Sequence, residues 1–147
     1  MKIEINEMGR QLILWGAILF LVGLLQGALI PYFQNPRMAL SAHLAAIQSG
    51  MALMIFGLIW ALLALREKWL KIAFYASVAS MYLVWCAITL GAILGVGRVL
   101  PIAGAGFSAP ALQEMIVQLI VTAGAGLGLL SSGLIVLGLV EGLKLKR

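Results

Sequence analysis

The stretch that decides the fold is LILWGAILFLVGLLQGALIPY, residues 12–32. It contains no charged residue, and Gln26 is its only strongly polar side chain. A helix of about 20 apolar residues is long enough to cross the hydrocarbon core of a bilayer. The run is too long for the core of a signal peptide, and the charged head Met1–Arg10 shows no convincing cleavage site after it. We therefore expect a retained transmembrane helix that ends at Pro31 and the polar turn 34–37.

Three later stretches have the same character, so the sequence predicts an all-α, integral membrane four-helix bundle. The helices are expected over about residues 11–32, 38–65, 72–97 and 110–141, in a single transmembrane domain that spans residues 1–147. Short polar turns join the first three helices, which makes successive helices antiparallel neighbours. The connection 98–114 is longer and is predicted to be a loop, because it holds Pro101 and repeated glycines, with Pro110 near the start of the last helix.

Composition leads to the same class of protein. Hydrophobic residues make up 63% of the chain and charged residues 10%, whereas a soluble domain is about one quarter charged. The apolar surplus must face a lipid bilayer. The net charge of +5 lies at the ends of apolar runs and forms no basic stripe, so no nucleic acid partner is expected. The single cysteine, Cys86, excludes an intrachain disulfide and a cysteine metal site.

The distribution of cations predicts the orientation. Eight of the ten Lys and Arg residues lie in the N-terminal head, the turn 66–71 and the C-terminal tail, while Arg37 and Arg98 lie on the opposite side. Because cytoplasmic loops are enriched in Lys and Arg, we expect a multi-pass protein of the cell inner membrane with both termini in the cytoplasm.

His43 is the only histidine, and it lies inside the second helix. An ionisable group within a membrane helix suggests a functional site, although a histidine near the interface can also simply bond to a carbonyl or headgroup. Ala46 and Gly50 share its helix face and leave that face flat. A flat cofactor coordinated by His43 could lie there, but small residues also permit close helix packing. The spacing leaves both interpretations open.

Arg37 and Arg98 are the only cations predicted on the non-cytoplasmic side, and His43 lies in the same half of the membrane. Arg37 precedes His43 by six residues, about 9 Å along a helix axis, and could pair with the acidic edge of a cofactor. Snorkelling to lipid headgroups is the alternative, and Glu114 could neutralise one arginine. The small-residue faces around Gly50, Gly91 and Gly124 are expected to pack against other chains.

Two blocks of sequence resemble a known family. Residues 35–44, NPRMALSAHL, and residues 97–106, GRVLPIAGAG, together with the first helix, are similar to hydroxylaminobenzene mutase, whose family is related to the styrene oxide isomerases. The resemblance implies haem b bound by His43 in a homotrimer, with the haems at subunit contacts. It further implies a redox-neutral isomerase reaction on a small aromatic epoxide or aryl hydroxylamine, with ferric iron as a Lewis acid.

The resemblance also assigns candidate site residues. His43 is the expected metal ligand, and Ala46, Gly50, Arg37 and Arg98 complete the expected cofactor site. The catalytic candidates are Ser49, Thr89 and Trp85. The isomerases have asparagine where this chain has Ser49 and tyrosine near the position of Thr89, and the mutases have asparagine where this chain has Val84, just before Trp85. Ser49 and Thr89 are expected to orient the substrate, and Trp85 to line a dry pocket with Met51 and Met54.

Two other classes of function remain open from the residues. One is a non-catalytic four-helix membrane subunit that packs against a larger partner. The other is a small multidrug-type transporter, which needs a carboxylate in its first membrane helix, whereas residues 12–33 contain no Asp or Glu. A Soret band in the absorbance spectrum of the purified protein would distinguish the haem enzyme from the subunit.

The predicted orientation can be tested by labelling in a Cys86→Ala background. A cysteine introduced at Ser108, in the long loop, should react with an impermeant thiol reagent added outside the cell. A cysteine introduced at Lys146 should react only after the cells are opened. The reverse pattern would place both termini outside.

Overall fold

The computed structural model describes residues 6–144, and these form helices and connecting turns with no β-strand among them. The helices are α1 (Glu7–Leu29, continued by a 3₁₀ turn Ile30–Tyr32), α2 (Pro36–Ile59, continued by Trp60–Leu62), α3 (Glu67–Leu94), α4 (Pro101–Gly104) and α5 (Ala111–Lys144). Four of them, all but α4, are long and apolar enough to cross a membrane. The predicted all-α membrane bundle of four spanning helices is thereby confirmed.

Local capping interactions explain why three helices begin earlier than predicted. The Asn6 side chain accepts a hydrogen bond from the Gly9 amide at 2.8 Å and caps α1. Asn35 caps α2 in the same way through the Met38 amide at 3.0 Å. In α3 the ion pair between Glu67 and Lys71, at 2.6 Å, lies across the first turn. The predicted turn 66–71 is therefore mostly helix.

The spanning helices pack largely in chain order. α1 packs along α2, α2 also packs on α3, and α3 packs along α5, whereas the backbones of α1 and α5 do not come close together within residues 6–144. The ends of α1 and α3 and the starts of α2 and α5 meet around residues 30–37 and 95–110. We call this the α4 end of the bundle.

Glycines hold α1 and α2 at backbone contact in an antiparallel seam. A Cβ added to Gly16 would lie 2.6 Å from the Gly50 carbonyl oxygen, and one added to Gly57 would collide with the Gly9 carbonyl. These glycines recur every seven residues, at 9 and 16 on α1 and at 50 and 57 on α2. The next layer in this register pairs Gly23 of α1 with His43 of α2. A seven-residue repeat keeps one helix face turned toward its partner over several turns.

The glycine faces predicted to contact other chains are used inside this one. Gly50 lies against Phe20 of α1, Gly91 lies against Met38 of α2, and Gly124 lies against Val84 of α3. The prediction is therefore wrong for these three glycines. Gly126 and Gly133 of α5 instead have no atom within 4 Å of an added Cβ.

The seam predicts a position-dependent effect of adding one methyl group. Gly16→Ala should lower the free energy of unfolding by about 1–3 kcal/mol, because the methyl would meet backbone atoms of α2 that cannot rotate away. Gly133→Ala, on the open face of α5, should leave it unchanged or raise it by up to about 1 kcal/mol, because the methyl meets no other atom and alanine favours the helix. Thermal unfolding in one detergent, followed by circular dichroism, measures both. Equal shifts in the two variants would contradict the seam.

Candidate functional site

The His43 ring lies against α1. Its Nδ1 is 2.7 Å from the Gly23 carbonyl oxygen. A Cβ on Gly27 would stand 2.8 Å from Cε1 and 2.9 Å from Nδ1, so only glycine at this position leaves room for the imidazole. The side chain is half-buried, at the edge between the α1–α2 seam and the exposed outer face of α2 that carries Leu44.

This contact selects one tautomer of the neutral ring. A carbonyl oxygen can only accept, so Nδ1 carries a proton and donates it, and in the neutral ring the lone pair is then on Nε2. The structure gives Nε2 no hydrogen bond within residues 6–144. Metal-ligating histidines are commonly held in this manner, with the other nitrogen bonded to a carbonyl or carboxylate.

The chemistry of the donor set restricts what His43 could hold. No group of three His, Cys, Asp or Glu residues is placed to bind a metal ion in the described part of the chain. A bare ion at His43 would therefore have fewer than three such side chains to bind it. A metal that brings its own ligands, as haem iron does with four porphyrin nitrogens, needs only one imidazole from the protein. The residues present fit haem better than a free ion.

A second polar cluster lies between α1 and α3. Gln26, which is 6% exposed, donates from Nε2 to Thr89 Oγ1 at 3.1 Å and accepts from Trp85 Nε1 at 2.7 Å. Two of the three predicted catalytic residues are thus brought together. The residue that joins them was noted in the sequence only as an interruption of an apolar run. A buried amide in a membrane helix, which needs polar partners, was the signal that could have identified it.

Several predicted site residues do not adjoin His43 as expected. Ala46 and Gly50 are buried under α1, where Ala46 Cβ lies 2.8 Å from the position of a Cβ on Gly23. Of the two interpretations of this flat face, helix packing is the one observed, and neither residue offers a surface to a cofactor. Ser49 is six residues from His43, hence about 120° away around the helix. No hydrogen bond in the described residues joins the Ser49 side chain to His43, Trp85 or Thr89.

The expected pocket of Met51, Met54 and Trp85 is not formed within one chain. Met54 covers Gly16 in the seam, Met51 is exposed on the outer face of α2, and Trp85 bonds to Gln26 on the neighbouring face of α1. The three side chains therefore do not face one cavity.

Arg37 and Arg98 both lie exposed at the α4 end. Arg37 borders a surface cleft of about 310 Å³, together with Ser41 and the residues of α4. The Arg98 backbone is fixed by Glu114, whose buried carboxylate accepts from the amides of Gly97, Arg98 and Ala109 at 3.0, 3.1 and 3.2 Å. Glu114 therefore secures the loop by backbone contacts, and no ion pair with either arginine is present within residues 6–144.

The loop of the α4 end is also tied to α2. The Asn35 side chain donates to the carbonyls of Ala103 and Gly104 at 3.2 and 3.0 Å, and its backbone amide donates to Ala92. Gly97 and Gly104 are in backbone contact, which a side chain at either position would prevent. Arg98 therefore lies on a loop that is held in place by hydrogen bonds, and Arg37 lies on the first turn of α2.

Comparison with known proteins shows which sequences this chain is similar to. A sequence model described as styrene oxide isomerase matches residues 8–140. The chain is 42% identical to hydroxylaminobenzene mutase HabB of Ectopseudomonas oleovorans over 73% of its own length and 66% of HabB. It is 36% identical to hydroxylaminobenzene mutase HabA of the same organism over 69% of its length and 76% of HabA. No solved structure matches the chain significantly.

Proposed function

The chain belongs to the styrene oxide isomerase family of isomerases, and on that premise we propose that it is a haem b-dependent isomerase of the inner membrane. The proposed reaction is the redox-neutral rearrangement of a small aromatic epoxide or aryl hydroxylamine. The observation that carries the proposal is the imidazole of His43, with Nδ1 donating to Gly23 and Nε2 left as a ligand.

The cofactor would be held by residues at the α4 end and on the outer edge of α2. His43 Nε2 is the proposed iron ligand, and Arg37 and Arg98 are proposed to pair with the two propionates. When bound, haem b would supply a ferric iron, a Lewis acid that draws electron density from a substrate oxygen. Glycine at position 27 keeps the ring of His43 unobstructed, and the Gly23 carbonyl fixes its rotation and raises its basicity as a ligand.

The protein's own part in the reaction is to orient the substrate and to exclude water. Breaking a C–O or N–O bond next to an aromatic ring leaves cationic character, which water would trap as a diol or an aminophenol. An apolar membrane setting keeps water away from such a charge. Thr89 is proposed to orient the substrate, and Trp85 to line the site from which water is excluded. Ser49 remains a proposal from the resemblance alone, because the structure gives it no polar contact with the other candidates.

A homotrimer is proposed as the working assembly. His43 is only half-buried, and Leu44 beside it is 46% exposed, so a cofactor on His43 would lie on the outside of a single chain. A neighbouring copy would cover it. The open glycines of α5, Gly126 and Gly133, provide a further face suited to close helix contact. Both termini are proposed to be cytoplasmic.

The cofactor proposal predicts a spectrum and a mass. Purified wild-type protein should show a Soret band, and its native mass should equal three chains with three haems. His43→Ala should lose the band or shift it, because the chain has no other histidine. Imidazole added to the folded variant should restore it by filling the vacated ligand position. An unchanged Soret band in His43→Ala would refute ligation by this residue.

The reaction proposal predicts a dependence on the oxidation state of the iron. Ferric protein should convert styrene oxide or phenylhydroxylamine to an isomer without added cofactor, and dithionite should slow the conversion, since ferrous iron is a weaker Lewis acid. Product analysis by chromatography under both conditions measures this. Turnover that is equal in His43→Ala would rule out the mechanism, and no turnover of either compound would rule out these substrates.

A further inference from the structure

The connection between α3 and α5 is unusually apolar for a loop. Residues 99–110, VLPIAGAGFSAP, contain no charged side chain, and Ser108 is the only polar one among them. Ile102, on the outside of α4, is 84% exposed within the chain. An exposed apolar surface on a folded protein commonly marks contact with a membrane or with another protein. The outside of α4 therefore needs a partner that accepts apolar side chains.

The backbone carbonyls of α4 are largely paired inside the chain. Those of Leu100 and Pro101 accept hydrogen bonds from amides four residues later, at 2.6 and 3.3 Å. Those of Ala103 and Gly104 accept from the side chain of Asn35, at 3.2 and 3.0 Å. Four of the five carbonyls in this stretch thus have a partner. A backbone carbonyl is costly to place in lipid unless the protein itself satisfies it, so this pairing removes most of that cost.

α4 lies beside the first turns of α2 and not beyond the end of that helix. Ser41 of α2 and residues 100–103 line the same cleft of about 310 Å³. Ser41 is five residues after Pro36, where α2 begins, and is therefore about 7.5 Å along the helix axis. The loop accordingly folds back along the bundle, toward the middle of the membrane.

The lengths of the helices place α4 at a membrane boundary. The charged residues 66–71 mark the opposite boundary, and α3 ends at Leu94, about 35 Å from Lys71 along the helix axis. The hydrocarbon core of a bilayer is about 30 Å thick, and the whole bilayer about 40–45 Å. The helix ends therefore reach the second headgroup region, and α4, which folds back from them, lies where the headgroups meet the acyl chains. Tyr32, 84% exposed at the same end, is typical of this level.

We propose that α4 is embedded in the lipid leaflet on its own side of the membrane, at the boundary between headgroups and acyl chains, with Ile102 in contact with the chains. The apolar exterior gives the loop its affinity for this boundary. Ile93 and Leu112, next to the ends of α3 and α5, are also exposed, so the lipid that covers them reaches α4. The His43 ring lies against α1, and this contact therefore does not require a cofactor.

Site-directed spin labelling measures the depth of α4. A nitroxide is attached to Ile102→Cys in a Cys86→Ala background, and the protein is reconstituted in vesicles of phosphatidylcholine and phosphatidylglycerol. Collisions of the label with oxygen, which concentrates in lipid, are compared with collisions with a water-soluble nickel complex. The ratio of oxygen to nickel collisions should be several-fold higher than at Lys68→Cys, an exposed position of the charged end. It should be lower than at Leu21→Cys, an exposed position in the middle of α1.

A second labelled position keeps the test decisive if one variant does not fold. Pro101→Cys, which is also an exposed position of α4, should give a ratio between the same two references, and circular dichroism with thermal unfolding identifies the folded variants. A ratio on α4 equal to that of Lys68→Cys would place the loop in water and overturn the inference. Protection from both reagents, with dipolar broadening between labels, would also overturn it, because a second copy of the chain would then cover α4.

Discussion

The backbone contact between α1 and α2 is the constraint on which the candidate site depends. Glycine layers at Gly9–Gly57 and Gly16–Gly50 bring the helices so close that any side chain would force them apart. In the third layer the same closeness places a carbonyl of α1 within reach of a side chain of α2, and the result is the bond from His43 to Gly23. In a lipid environment, where association depends on packing and polar contacts, one seam supplies both.

α1 has two faces that serve different purposes. The face that carries Gly23 and Gly27 positions the imidazole, and the neighbouring face, with Gln26, holds Trp85 and Thr89 of α3. α5 is joined to the α1–α2 pair by α3 and by the residues that follow α2, where the Ala64 amide donates to the Gly138 carbonyl. A shift of α1 would change the contacts of His43 and of Thr89 together, because Gly23 bonds to the first and Gln26 to the second.

The length of the apolar runs was enough to predict four spanning helices, because lipid imposes that length directly. The helix ends were not predictable from hydropathy, since they are set by single side chains such as Asn6 and by the ion pair of Glu67 with Lys71. The flat face at Gly50 could not be assigned either. Small residues are required both for close helices and for a flat ligand, and only the partner helix distinguishes the two.

The hydrogen-bond partners of Gln26 and Glu114 could not be predicted from the sequence, and the physical reason is the same for both residues. Each is a polar side chain whose partners are distant in sequence or on the backbone: Trp85 and Thr89 are 59 and 63 residues from Gln26, and Glu114 bonds only to amides. Yet an unpaired polar group is costly where no water can reach it. A polar residue within a spanning run is therefore evidence of a partner on another element. Trp85 and Thr89, four residues apart on α3, are a donor and an acceptor on one helix face, as a lone buried amide requires.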